Sequence, residues 1–174
     1  MLTQDQENYL NTLPTDVFIS ITPPNPRCKE IAQELIATAR SRYPDIEARF
    51  LGAAALGISG VNDVDLDFMV SPLAFPAYLE TFKELFGEPR DTSADSAVWT
   101  FFIEGIEIDM WLSNPDSESS IDQWKKHQLL AGSTDLIKQY EEIKLACNGK
   151  SYQEYVRAKY QFFDGLHLTS DKTV

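Results

Sequence analysis

The chain has 174 residues, a net charge of −12 at pH 7, and 43% hydrophobic and 11% aromatic residues. That is enough apolar material for one domain with a sizeable core, and too much for a disordered chain. No apolar run approaches the roughly 18 residues of a membrane span, and the acidic balance disfavours an extended nucleic-acid surface, which needs stripes of Lys and Arg. The first residues lack the basic-then-apolar pattern of a secretory leader. Cys28 and Cys147 do not suggest a disulfide framework, and two thiols suit a reducing cytoplasm.

Residues 1–27 carry little periodic signal and contain Pro14, Pro23, Pro24 and Pro26, so an N-terminal arm is expected, packing through Val17, Phe18 and Ile19. A helix is predicted from Asn25-Pro26, with Ile31, Leu35 and Ala39 on one face, ending before Pro44. Strand Ile46–Leu51 then enters a turn at Gly52, with a short helix over 54–59. An acidic strand over 63–70 follows, then a helix over 75–86 showing Tyr78, Phe82, Leu85 and Phe86 at helical spacing and Gly87 as its stop. Two β-rich runs, 98–103 and 106–112, flank Glu104-Gly105, a strong hairpin signal. Asn114–Ser120 reads as a polar loop into a helical half. There, one helix begins around Ile121 and Trp124 and ends at Gly132; Ser133 caps a second, with Leu136, Tyr140, Ile143 and Cys147 on one face. Ser151 and Glu154 form a capping box opening a third, which stops near Gly165 ahead of a disordered tail, Leu168–Val174. The aromatics of these helices read as core. The expected divisions are an arm (1–27), an α/β core (28–113), a helical part of the same domain (114–167) and the tail (168–174).

The chemistry is concentrated in the acidic strand. Strand side chains alternate faces, so Asp63 and Asp65 point the same way, about 6.6 Å apart along the chain, while Val64, Leu66, Phe68 and Val70 form an apolar stripe opposite. Asp67 extends the acidic row, and three like charges in alternation repel unless a cation sits among them or water covers them. The later strand repeats the design: Ile106, Ile108, Met110 and Leu112 on one face, Glu107, Asp109 and Trp111 on the other. If the two strands are neighbours, Asp109 joins the aspartates as a third ligand. With only His127 and His167, and no cysteine in a metal spacing, an all-oxygen Mg²⁺ or Mn²⁺ site suits these residues better than zinc.

Leu51-Gly52-Ala53, Asn62-Asp63-Val64-Asp65-Leu66 and Ile108-Asp109-Met110 together resemble the polymerase-β-type nucleotidyltransferase superfamily. Its pattern is a hydrophobic residue, Gly and a small residue, then an Asp-x-Asp strand, then a third carboxylate on a later strand. Gln139–Lys144 and Tyr155–Lys159 further resemble the Tyr-x-x-x-Lys helices of GrpB-like (UPF0157) proteins, a similarity covering roughly residues 28–165. The resemblance implies an α+β fold, a nucleotidyltransferase-like mixed sheet flanked by helices and followed by a C-terminal helical bundle. It further implies transfer of a nucleoside monophosphate from a nucleoside triphosphate to a hydroxyl-bearing acceptor. Asp63, Asp65 and Asp109 would be catalytic and hold Mg²⁺ or Mn²⁺. Gly52, Ala53 and Lys159 would meet the nucleotide, with Lys144 and Arg157 as further candidate cations. Ala53 departs from the usual Ser, which removes a hydroxyl from the phosphate grip. A degenerate fold that binds nucleotides or partners without catalysis is the alternative. The Asp-x-Asp pair can be read as Asp63/Asp65, the favoured register, or as Asp65/Asp67.

Overall fold

The alternation in residues 63–70 forms strand β2 (Asp63–Met69), second in a five-stranded sheet. In the computed structural model, residues 2–170 are described, with 167–170 defined by backbone alone. In chain order the elements are α1 (Gln4–Leu10), α2 (Pro26–Arg42), β1 (Glu47–Leu51), α3 (Gly52–Leu56), β2, α4 (Phe75–Phe86), β3 (Asp91–Thr92), β4 (Ser96–Ile103), β5 (Ile106–Ser113), α5 (Glu118–Ala131), α6 (Thr134–Ala146) and α7 (Tyr152–Ser170). The sheet order is β1-β2-β5-β4-β3, and β2 with β5 is its one parallel pair among the described strands. The Glu104-Gly105 turn closes the β4–β5 hairpin with both residues at positive φ (53° and 80°), the twist a two-residue hairpin favours.

One sheet face is apolar throughout. Val64, Leu66 and Phe68 of β2, Ile108, Met110 and Leu112 of β5 and Trp99 of β4 are buried under α2 and α4. Phe82 sits at the centre, its ring 5.1 Å from Phe68, 5.3 Å from Phe86 and 5.8 Å from Trp99. The other face carries the carboxylates, and α5, α6, α7 and α1 wall part of it through two smaller clusters, one around Leu10, Cys147, Tyr155 and Val156, the other around Ala53, Ile58, Leu130 and Tyr140. The mixed sheet flanked by helices and followed by a helical bundle is the expected fold. No helix of the described residues is long and apolar enough to cross a membrane.

Several boundaries differ from expectation. The N-terminal arm contains α1, whose Thr3 and Gln6 form a capping box and whose Leu10 is fully buried. Val17 and Phe18 are exposed, whereas Ile19 packs as expected in the cluster around Leu10; backbone pairing adds to it, Phe18 bridging to Ser151 and the Ile19 N–H donating to the Lys150 carbonyl. The helix expected over 54–59 starts at Gly52 and ends at Leu56, where Gly57 takes up a left-handed conformation. Helix α5 begins at Glu118, which shortens the 114–120 loop, and α7 continues to Ser170 instead of stopping near Gly165. The part of the expected tail at 171–174 lies outside the described residues.

Candidate active site

The parallel pairing of β2 with β5 sets Asp65 directly across from Asp109, and Asp63 across from Glu107. On the other side, Leu51 pairs with Asp65, so the chain leaves β1 for Gly52 beside that carboxylate. Gly52 has φ +72°, and a Cβ built on it would lie 2.0 Å from Asp65 Oδ2. Only glycine leaves the carboxylate its place. No side chain caps α3, so its first amides have no side-chain partner.

A cleft of about 360 Å³ opens between this corner of the sheet and the helices. Leu51, Gly52 and Asp65 form its floor; Lys159, Tyr152, Val156, Tyr160 and Phe163 of α7 face them, with Tyr140 of α6, His127 of α5 and Tyr9 of α1 closing the sides. The aromatics of the C-terminal helices, read from sequence as core, serve both ends: Tyr140 is buried against Phe162 and Phe163 yet also lines the cleft, as do Tyr152, Tyr160 and Phe163.

The buried charges of the cleft act on one another. Burial, then the neighbouring Asp63 and Asp109, raise the Asp65 carboxyl to about 7, although Lys159 and Lys144 pull the other way. Lys159 is held above the ordinary lysine range by Tyr140 first, against the cost of burial, and by Tyr155, Asp65 and Asp63. At neutral pH both phenols are uncharged, so the carboxylates are the partners that act on it. Lys144 is buried, its Nζ donating to the Tyr155 hydroxyl at 2.8 Å and lying 5.2 Å from the Tyr140 ring. Burial and Lys159 lower it to about 8. Neither lysine has a carboxylate within ion-pair distance among the described residues.

Asp109 has partners of its own. Its Oδ1 accepts from Thr100 Oγ1 at 2.6 Å and lies 3.8 Å from the Arg90 guanidinium. Among the described residues no three His, Cys, Asp or Glu side chains stand together as a ready metal centre. The donor chemistry nevertheless fits a hard divalent ion: three carboxylates share one face of two adjacent strands. Asp67 stands apart. It is buried, does not line the cleft, and its Oδ1 has no hydrogen-bond partner among the described residues. Its cross-strand neighbour Arg49 turns to Glu47 at 2.8 Å and covers the Trp124 ring.

No protein-family model matches the chain, and no curated protein matches its sequence. Solved structures do match in shape. A structure of the Cid1 poly(U) polymerase with MgGTP bound superposes with a TM-score of 0.52 at 14% identity, over 80% of this chain and 44% of that one. A second, described for the RNA terminal uridylyl transferase activity of Cid1, gives 0.53 at 16% identity, over 80% and 43%. The fold is nucleotidyltransferase-like. The chain spans less than half the length of these neighbours. The likeness is one of fold, the fold that the motifs lead one to expect, and the likeness to GrpB-like proteins stays one of motifs alone.

Of the residues singled out in the sequence, the fold gathers Asp63, Asp65 and Asp109 on one face of β2 and β5; of these three only Asp65 lines the cleft, together with Gly52 and Lys159. Ala53 is buried against Ile58, Leu130 and Tyr140 instead of lining the cleft. Arg157 does not take part; both its terminal nitrogens bind Glu7 of α1, at 2.7 and 2.9 Å.

Proposed function

We propose that this protein transfers a nucleoside monophosphate from a nucleoside triphosphate to a hydroxyl-bearing acceptor, with Asp63, Asp65 and Asp109 as the ligands of Mg²⁺ or Mn²⁺. The observation that carries the reading is the register of Asp65 with Asp109 across a parallel strand pair, beside Gly52 and Lys159, in a nucleotidyltransferase-like fold. Asp63/Asp65 is the favoured pair, because Asp67 is only 3% exposed.

A divalent ion held by these carboxylates would neutralise phosphate charge and make the attacking hydroxyl more acidic. Lys159 holds the triphosphate from the helical side, aided by the Lys144 ammonium behind it. The Gly52-Ala53 backbone approaches a phosphate without a side chain in the way. Asp109 lies toward β4, away from the lysines, and accepts the proton of the acceptor hydroxyl as its oxygen attacks the α-phosphorus and pyrophosphate leaves. The neighbours are described as acting on RNA with uridine nucleotides. A net charge of −12 argues for a compact acceptor here instead of a long RNA.

The test is calorimetric titration of Mn²⁺ with a nonhydrolysable nucleoside triphosphate into the wild type and Asp65→Asn. Saturable binding that the substitution abolishes is expected; equal affinity in the two proteins would defeat the assignment. A second reading, a fold that binds nucleotide without turnover, draws on Ala53 in place of Ser and on the engagement of Asp109 by Thr100. Labelled triphosphates incubated with lysate separate the two: label transferred to an acceptor supports the enzyme, and binding with no transfer supports the module.

A further inference from the structure

Asp109 is held from behind by a chain of two hydrogen bonds. Thr100 of β4 is its direct cross-strand partner, and Thr100 Oγ1 stands 2.6 Å from Asp109 Oδ1. The same hydroxyl accepts from Arg90 Nη1, also at 2.6 Å. A hydroxyl has one proton, and the guanidinium is an obligate donor, so the Thr100 proton is committed to the carboxylate. Arg90 is itself anchored, its backbone N–H donating to the Val98 carbonyl at 2.7 Å. With its side chain 56% exposed and 3.8 Å from Asp109, the guanidinium contributes little as a direct ion pair. Its effect is to orient the hydroxyl.

This arrangement distinguishes the two oxygens of Asp109. Oδ1 is taken, which fixes the carboxylate plane and leaves Oδ2 for a ligand. Threonine suits the task, because its branched side chain is stiff on a strand and presents one hydroxyl in one direction. We propose that Thr100, with Arg90 behind it, is a positioning residue that selects which oxygen of Asp109 serves the reaction. The inference rests on the reading of Asp109 as a metal ligand. Outer partners of ligating carboxylates typically govern metal affinity by about 10- to 100-fold.

The experiment measures Mn²⁺ affinity, in the presence of a nonhydrolysable triphosphate, for the wild type, Thr100→Val, Thr100→Ser and Arg90→Gln, with unfolding midpoints alongside. Thr100→Val keeps the shape and removes the hydroxyl, and should weaken binding by about 10-fold or more. Thr100→Ser restores the hydroxyl and should recover most of it. Arg90→Gln, an exposed change that keeps the fold, should weaken binding a few-fold without moving the midpoint; it decides the matter if Thr100→Val does not fold. Where turnover is measurable, kcat should fall more than KM changes. Wild-type affinity in Thr100→Val, or in Arg90→Gln if only that variant folds, overturns the positioning role and leaves the proposed function standing. Absence of Mn²⁺ binding by the wild type itself overturns both.

Discussion

Gly52 and Gly57 offer a controlled pair of substitutions. Both residues sit in the left-handed region, at φ +72° and +68°, but their surroundings differ. A Cβ at Gly57 would meet nothing within 4 Å, whereas one at Gly52 would stand 2.0 Å from Asp65 Oδ2. Alanine at either position costs about 1–2 kcal/mol through backbone strain. For a domain of this size that lowers Tm by about 2–8 °C. Gly52→Ala must in addition drive the Asp65 carboxylate back by more than about 1 Å to reach ordinary contact. A displacement on that scale costs a reacting group about 100-fold. Both variants should therefore melt a few degrees below the wild type, Gly52→Ala at or below Gly57→Ala, while only Gly52→Ala loses Mn²⁺-dependent nucleotide binding by tenfold or more. The assay is thermal unfolding paired with calorimetry on both variants. Indistinguishable affinities would mean that the close approach of Gly52 to Asp65 does not serve the ligand, and the reasoning fails there.

Asp67 yields a pH signature. Burial, opposed by Ser113 and Arg49, raises its folded carboxyl from 3.8 to about 6, so the folded chain binds more protons than the unfolded chain between those values. Stability from this group is full below about pH 4 and lost as pH rises through about 6, so Asp67→Asn should exceed the wild type by up to about 2–3 kcal/mol at pH 7.5 and show no advantage at pH 4. Urea midpoints at the two pH values check this, and a gain independent of pH would contradict it. Phe82→Ala should cost about 3–5 kcal/mol, since it empties the space shared by Phe68, Phe86 and Trp99. A loss below about 1 kcal/mol in chemical denaturation would show that the core is organised around another residue.

What could be read in the sequence followed from periodicity and turn chemistry. The two acidic strands, the hairpin and the helix ended by Gly87 each carry a local signal that the folded chain obeys. The register of Thr100 with Asp109 was also within reach, because a two-residue turn at Glu104-Gly105 fixes Ile103 opposite Ile106 and every pair beyond it. Helix α1 escaped notice because seven residues with one buried position show no period, although the Thr3 and Gln6 cap was there to be seen. Val17 and Phe18 misled for the opposite reason: they are apolar, but backbone pairing to residues 150 and 151 anchors that segment. The two-sided use of α7 was hidden as well. Its aromatics serve the core on one side and the cleft on the other, and helical spacing alone does not separate them. The burial of Lys144 was not legible because the hydroxyl that receives it, on Tyr155, belongs to the next helix.

The docking of α1 on α7 has a consequence for the newborn chain. Leu10 completes its cover when Cys147, Tyr155 and Val156 arrive. At ordinary translation speeds those residues follow about 7–30 s later. Until then Leu10 has for neighbours only the early members of its cluster, such as Leu13, Ile19 and Ile21. Shape at one extremity of the fold thus waits on the ribosome reaching the other.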